Sequence, residues 1–314
     1  MGEIYTQNNL SFSSDFGHIA YDLYEPTISS NTTPKIIQIA HGMLEHKGHY
    51  QWLAQEFAKR GYIVAVSDHR GHGDSLNPNN GIVLGSMGED SFARASYDLY
   101  KLTCILKDRY KGARIILLGY SMGSLFARRY LSLYSEVLDG LILSGSPAFD
   151  KTISTNIRIA KFLQFFGAKT FGQKFFAKKI FRRLEKEFRA RNGGIKGWLC
   201  SDKSVMDSYK TDEKCQAMFD IESFLHLFLG MQEVYGDYPT PKNPHIPILF
   251  VSGANDASGH FGTGVQKALT HLELQGFDDV GILLYKEARH KIFDEPIKEQ
   301  VVADINLWLN SKGL

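Results

Sequence analysis

The stretch that most constrains this chain is Gly119-Tyr120-Ser121-Met122-Gly123, because of what flanks it. Before it, Arg114-Ile115-Ile116-Leu117-Leu118 is a short apolar run of the kind found in strands buried on both faces. After it, Ser124-Leu125-Phe126-Ala127-Arg128-Arg129-Tyr130-Leu131 reads as a helix. A strand and a helix joined through Gly-x-Ser-x-Gly form the setting of a nucleophile elbow. The spacing predicts that the turn lifts the Ser121 hydroxyl to the carboxyl edge of a parallel sheet. Gly119 and Gly123 are expected to free the backbone for a strained turn that a Cβ would obstruct.

A lone serine is a poor nucleophile, so this reading demands a base and an acid at defined places. At such elbows the acid and then the base follow the serine in chain order, each after a strand. Ile248-Leu249-Phe250-Val251 reads as a strand and runs into Ser252-Gly253-Ala254-Asn255-Asp256. Gly281-Ile282-Leu283-Leu284-Tyr285 reads as the next and runs into Lys286-Glu287-Ala288-Arg289-His290. Asp256 and His290 are therefore expected at the sheet edge that carries Ser121. The loop after the preceding strand, Ser144-Gly145-Ser146-Pro147, has no carboxylate until Asp150, which favours Asp256 as the acid. His260 follows Asp256 too closely to reach Ser121 easily, and His271 falls in a helical pattern.

An oxyanion site needs two donors beside the nucleophile. The backbone N–H of Met122 is one, and the loop after Lys35-Ile36-Ile37-Gln38-Ile39-Ala40 should supply the other. That loop reads His41-Gly42-Met43-Leu44-Glu45-His46, so the second donor is the N–H of Met43, with Gly42 allowing a close approach. His41, Glu45 and His46 are expected to shape the loop by hydrogen bonds. Asp68-His69-Arg70-Gly71-His72-Gly73-Asp74-Ser75 follows another strand, Tyr62-Ile63-Val64-Ala65-Val66. It reads as a buttress, with Arg70 paired to a carboxylate and glycines making turns. His69 and His72 lack a third ligand, so no metal site is expected.

These motifs occur in one order along nearly the whole chain. Together, the His41–His46, Asp68–Ser75 and Gly119–Gly123 segments, Gly253-Ala254-Asn255-Asp256 and Ala288-Arg289-His290 resemble the monoacylglycerol lipase and lysophospholipase branch of the serine α/β-hydrolases. The resemblance implies an α/β fold with an eight-stranded, mostly parallel sheet flanked by helices, and a helical cap inserted after the sixth strand. It implies cofactor-free hydrolysis of carboxylic esters. Ser121, Asp256 and His290 match the family's triad positions, and Met43 and Met122 match its oxyanion donors. Where the family often has glycine after the residue matching Met43, this chain has Leu44.

The organisation around these motifs is simple. Residues 1 to about 34 read as an antiparallel strand pair turning near Asp15-Phe16-Gly17. Strands and helices then alternate to about residue 147, as βαβ units do. Helices are expected near Tyr50 to Arg60, Asp90 to Tyr110 and Ser121 to Tyr134, and later near Gly264 to Gln275 and Pro296 to Leu309. The core is thus residues 1–147 and 244–314, and the cap is residues 148–243. Within the cap, Phe162, Phe165, Phe166, Phe175, Phe176, Ile180, Phe181, Leu184 and Phe188 recur mostly at three- and four-residue steps. Lys174, Lys178, Arg182, Arg183 and Lys186 occupy much of the other face, which predicts a basic amphipathic helix. Its aromatic stripe suits three uses: packing on the core, forming an acyl-binding wall, or meeting anionic lipid.

Composition agrees with a globular enzyme. A chain of 314 residues can bury a large core, and a formal net charge of +2 gives no reason to expect a nucleic-acid partner. Three cysteines, Cys104, Cys200 and Cys215, form no CxxC pair, which points to a reducing, cytoplasmic setting without a disulfide framework. No secretory leader or spanning segment is expected, although the cap could contact a membrane surface from the cytoplasmic side. Met1-Gly2-Glu3-Ile4-Tyr5-Thr6 fits a loose myristoylation pattern, discounted because the segment also reads as a first strand. Asn9-Leu10-Ser11 and Asn31-Thr32-Thr33 match a glycosylation pattern that matters only in an exported protein.

The functional expectation is a serine hydrolase acting on esters with an apolar acyl chain (a monoglyceride, a lysophospholipid or a simple ester) through an acyl-enzyme on Ser121. No cofactor or metal is expected. Aminopeptidase-like or thioesterase chemistry with the same triad is the enzymatic alternative, and a ligand-binding protein with little turnover is the non-enzymatic one. Oligomeric state is not legible.

Overall fold

The computed structural model describes residues 3–27 and 33–314. Gly2 of the acylation pattern, and Asn31 and Thr32 of the second glycosylation pattern, lie outside the described residues.

Eight strands form one sheet in the order β1-β2-β4-β3-β5-β6-β7-β8. β1 (Ile4–Ser14) and β2 (Gly17–Pro26) make the expected antiparallel pair, and β2 also runs antiparallel to β4 (Ile63–Ser67). From β4 onward, through β3 (Lys35–Ala40), β5 (Arg114–Tyr120), β6 (Gly140–Ser144), β7 (Ile248–Gly253) and β8 (Val280–Tyr285), pairing is parallel. The loops that follow these parallel strands therefore all emerge at one edge, which is what gathers motifs spread over the chain into one site.

The central strands are apolar almost throughout because both faces are covered. Side chains of odd and even position divide between two layers. Ile37, Ile39, Val64, Val66, Ile116, Leu118 and Val251 pack with α1 (Gln51–Ala58) and α9 (Lys298–Ser311). Ile36, Ile115, Leu117, Leu141, Leu143 and Phe250 pack with α2 (Ser91–Arg109), α3 (Met122–Tyr134) and α8 (Thr263–Leu274). Core helices fall within two residues of the expected ones, except that α1 is preceded by a 3-10 turn, Lys47–Tyr50.

The segment between β6 and β7 holds α4 (Ile153–Phe165), α5 (Lys169–Arg191), α6 (Lys203–Thr211) and α7 (Ile221–Val234). Ile157, Phe176, Phe224 and Phe228 join the same apolar cluster as α3, so this segment packs on the core and not beside it. One expectation is corrected. The Phe-rich stretch is not a single amphipathic helix: the chain breaks between α4 and α5, where Gly167 takes a φ of +70°, a conformation a helix interior cannot hold. The break also divides the aromatic stripe. Phe176, Leu184 and Phe188 are buried, whereas Phe162, Phe165 and Phe166 stand in solvent, as does Phe171 outside the stripe, each with at least 61% of its surface exposed.

The Asp68–Ser75 segment buttresses the fold as expected. Arg70 is buried, donating to Asp98 Oδ2 through Nε (3.0 Å) and Nη2 (2.8 Å) and to Asp15 Oδ1 (2.7 Å). Asp68 accepts from the backbone N–H groups of Lys47 (2.6 Å) and Asp74 (2.8 Å), tying this loop to the one after β3.

Candidate active site

Ser121 lies between β5 and α3 with φ 51° and ψ −115°, a backbone state that costs a non-glycine residue about 1–3 kcal/mol. The strain sits on Ser121 itself, while at its flanking glycines a Cβ would obstruct the turn. Gly119 and Gly123 lie outside the positive-φ region, and what they supply is room. A Cβ on Gly119 would fall 2.5 Å from the Gly123 carbonyl oxygen, and one on Gly123 would fall 2.2 Å from that of Ala40. Gly42 is held similarly, its missing Cβ 2.9 Å from the Tyr120 ring. The strained turn is pinned by the Ser121 N–H donating to the Ser144 carbonyl (2.9 Å) and the Ser124 hydroxyl donating to the Ser121 carbonyl (2.6 Å).

The loops after β7 and β8 bring Asp256 and His290 to this point. His290 Nε2 is 2.9 Å from Ser121 Oγ, and His290 Nδ1 is 2.9 Å from Asp256 Oδ2. A carboxylate oxygen only accepts, so Nδ1–H donates to Asp256 and Nε2 is left to accept the Ser121 hydroxyl proton. Asp256 is fully buried and its other oxygen accepts the Ser258 N–H (2.7 Å), while His290 is 3% exposed. The rival histidines are elsewhere. His271 is on α8 beside Arg128 and the Gly236 carbonyl, and His260 lies in the turn after Asp256 with a φ of 47°.

Met43 and Met122 line the cavity that opens on Ser121. Met122 is the first residue of α3, where a backbone N–H has no acceptor within the helix. Leu44, standing where the resembled family often has glycine, adopts a φ of +58°, so the backbone keeps a glycine-like turn at the cost of strain.

The cavity encloses about 870 Å³ when its open mouth is included. Its walls are largely apolar, with Leu125 from α3, Ile153 from α4, Leu184 from α5 and Phe228 from α7. Toward α4 and α5 they turn polar. Lys179 donates to Asn156 Oδ1 (2.5 Å), and Arg183 is ion-paired with Asp150. Trp198 from the inserted segment packs against the His290 ring at 5.1 Å.

Sequence reasoning placed Glu45 as a loop-shaping residue but missed its partners. Glu45 is buried and accepts from the Gly42 N–H (3.0 Å), Tyr50 Oη (2.7 Å), Tyr209 Oη (2.6 Å) and Lys291 Nζ (2.9 Å). Burial alone would raise the Glu45 carboxyl, but the Lys291 ammonium and the tyrosine hydroxyls outweigh it and hold it far below the ordinary carboxylate range. This pair joins the Met43 loop to the residue beside His290, and Tyr209 on α6 adds the inserted segment. Tyr209 carries no sequence signal for this role.

Similarity to known proteins identifies the family. A family model described as "Serine aminopeptidase, S33" matches residues 32–297. The chain belongs to this family. It is a serine α/β-hydrolase of the monoacylglycerol lipase-like branch. It is 24% identical to the monoacylglycerol lipase of Mycolicibacterium smegmatis over 98% of each chain. Among solved structures it resembles a thermostable carboxyl esterase from Bacillus coagulans, with 26% identity, a TM-score of 0.83 and 98% and 99% of the two chains covered. A soluble variant of the monoglyceride lipase of Saccharomyces cerevisiae shares the fold at 18% identity, with a TM-score of 0.72 over 98% and 96% of the chains.

Beneath the site His41, His69 and His72 cluster with ring centroids 4.2–6.3 Å apart. The His69 N–H donates to His41 Nε2 (3.0 Å), and His72 Nδ1 donates to the Arg70 carbonyl (3.0 Å). Burial pushes His41 down from 6.5 to about 4 and His72 to about 3, so all three rings fold neutral. In the unfolded chain they protonate near 6.5, so the unfolded state binds more protons below that pH and stability falls as acid is added. Thermal melts should show a midpoint that drops steadily from about pH 6.5 to about 4. A midpoint constant across that window would contradict this account of the cluster.

Proposed function

We propose that this protein hydrolyses carboxylic esters carrying an apolar acyl chain, with Ser121, Asp256 and His290 as its catalytic triad. The observation that carries the reading is the hydrogen-bonded run from Ser121 Oγ through His290 to Asp256 at the floor of a mostly apolar cavity. In this reading Ser121 Oγ attacks the ester carbonyl while His290 Nε2 takes its proton. Asp256 keeps the imidazolium oriented and offsets its charge. The oxyanion is held by the N–H groups of Met43 and Met122. His290 then protonates the departing alcohol, and Ser121 is left acylated. Water enters, gives a proton to His290 and releases the carboxylic acid. No step needs a cofactor.

Residues 148–243 serve as a cap in this proposal. Ile153, Leu184, Leu227 and Phe228 come from it and line the acyl side of the cavity. The relatives named as monoacylglycerol lipases and a carboxyl esterase support an ester substrate. An aminopeptidase would need a carboxylate free to hold the substrate ammonium. Among the described residues the one carboxylate lining this cavity is Asp150, which Arg183 already neutralises. A panel of esters from acetyl to palmitoyl, with a monoglyceride and a lysophospholipid, tests the reading. The expected result is activity rising with acyl length, and a loss of about 10⁴-fold or more in kcat/KM on Ser121→Ala. Activity confined to acetyl esters, or to aminoacyl amides, would contradict it.

We further propose that the corner between α4 and α5 meets an anionic lipid surface. Phe162, Phe165, Phe166 and Phe171 are exposed there beside exposed Lys161, Lys169 and Lys174, pairing apolar insertion with electrostatic attraction. Among the described residues no helix is long and apolar enough to cross a membrane. Sedimentation with vesicles should rise with phosphatidylserine content, weaken in high salt, and fall in Phe165→Ser/Phe166→Ser. Equal sedimentation of variant and parent would contradict the assignment.

A further inference from the structure

Two short turns face one another at the rim of the site. The first is the 3-10 helix Lys47–Tyr50, with His46 as its N-cap and His49 within it. The second is the 3-10 helix Glu213–Cys215, with Asp212 as its N-cap and Cys215 at its end. A 3-10 helix has three residues per turn, so residues three apart eclipse and point the same way. His46 and His49 therefore share one edge, and Asp212 and Cys215 share another. The fold sets the two edges face to face although more than 160 residues separate them.

The donor atoms converge. His46 Nε2 lies 2.7 Å and His49 Nε2 3.0 Å from Asp212 Oδ2, and Cys215 Sγ lies 3.5 Å from His49 Nε2. All four donors fall within 4.8 Å of one another. A tetrahedral zinc ion with bonds of 2.0–2.3 Å needs donors about 3.3–3.7 Å apart, so the two imidazoles must draw back from Asp212 by about 0.3–0.6 Å and a pair as wide as 4.8 Å must close by about 1 Å, shifts that side-chain rotation supplies. We infer that His46, His49, Asp212 and Cys215 form a structural zinc site that fastens the inserted segment to the loop carrying Met43.

The donor chemistry selects the ion. Two imidazoles, one carboxylate and one thiolate are a mixed nitrogen, oxygen and sulfur set that suits zinc and excludes magnesium or calcium as the resident ion. Four protein ligands fill a tetrahedron and leave no position for water or substrate, so the role is structural. Charge balances, because a divalent ion meets one carboxylate and one thiolate. Surrounding contacts already orient the set. The Lys214 N–H donates to Asp212 Oδ1 (2.9 Å), leaving Oδ2 for the ion. Tyr209 packs edge-on against the His49 ring at 4.3 Å and shields one side.

Binding has a definite proton count. Cys215 loses its thiol proton to solvent. His46 Nδ1 accepts the Gly48 N–H (3.1 Å), so its Nε2 carries the ring proton without metal. Coordination through Nε2 moves that proton to Nδ1 and releases the Gly48 amide, which is exposed and can bond to water; His49, whose Nε2–H donates to Asp212 Oδ2 without metal, likewise shifts its proton to Nδ1. The sequence showed neither half of the site as a metal motif, since a pair of ligands on one turn is incomplete alone.

The test uses the full chain with any affinity tag removed, stripped with chelator and titrated with zinc against a competing indicator. Elemental analysis should find about one zinc per chain, and zinc should raise the melting temperature. Cobalt in place of zinc should give a thiolate-to-metal charge-transfer band. Cys215→Ser should lose that band, and both Cys215→Ser and His49→Gln should bind zinc at least about tenfold more weakly. His245→Gln, which alters an exposed histidine paired with Asp278, should bind as the parent does. Far-UV circular dichroism of the metal-free variants confirms that each folds. The proposal is overturned if the parent retains no zinc, or if folded Cys215→Ser and His49→Gln bind it as tightly as the parent.

Discussion

The site depends on one close approach between backbones. α3 lies so near β3 and β5 that neither Gly119 nor Gly123 has space for a single methyl group. This proximity makes the turn at Ser121 sharp enough to force a φ of 51° on a residue that resists it. The turn persists because the sheet around it is rigid: Ile116, Leu117 and Leu118 are wholly buried, and the Ser121 amide is held by the neighbouring strand. The core thus stabilises a local strain, and the strain presents the hydroxyl to His290.

A second constraint binds the pieces that the sheet alone would leave loose. The buried Glu45–Lys291 pair spans the loop after β3 and the loop after β8, and three further donors converge on the same carboxylate. Two buried charges carry a large desolvation cost, offset here by mutual attraction and by hydrogen bonds to nearly every lone pair of Glu45. Because Tyr209 belongs to α6, the inserted segment shares in that network. Arg289 adds to it, donating to the Gly197 carbonyl (2.6 Å) and the Cys200 carbonyl (3.1 Å). The segment over the site is therefore anchored at the loop that carries His290.

What was legible in the sequence follows from what is local. The parallel strands announced themselves because burial on both faces leaves runs such as Ile115-Ile116-Leu117-Leu118 nearly free of polar residues. Ser121, Asp256 and His290 could be placed together because each directly follows such a strand, and parallel strands deliver their ends to one edge. The inserted segment was harder. Its Phe spacing gave one long helix, yet Gly167 divides it and leaves Phe162, Phe165 and Phe166 in solvent. Periodicity registers a stripe but not which neighbour covers it. The meeting of His46 and His49 with Asp212 and Cys215 had no local signal, since it is set by how the insertion folds back over the sheet. Leu44 shows a further limit: its positive φ is imposed by the loop around it against the preference of its own side chain.

The geometry around Ser121 should make its hydroxyl a reactive nucleophile. Labelling with a fluorophosphonate probe, followed by mass-spectrometric mapping of the modified peptide, tests this most directly. Stoichiometric modification at Ser121 is expected, lost when His290 is replaced by Ala in a protein whose circular dichroism is unchanged. A folded parent chain that stays unlabelled, or that takes the label at another serine, would contradict it.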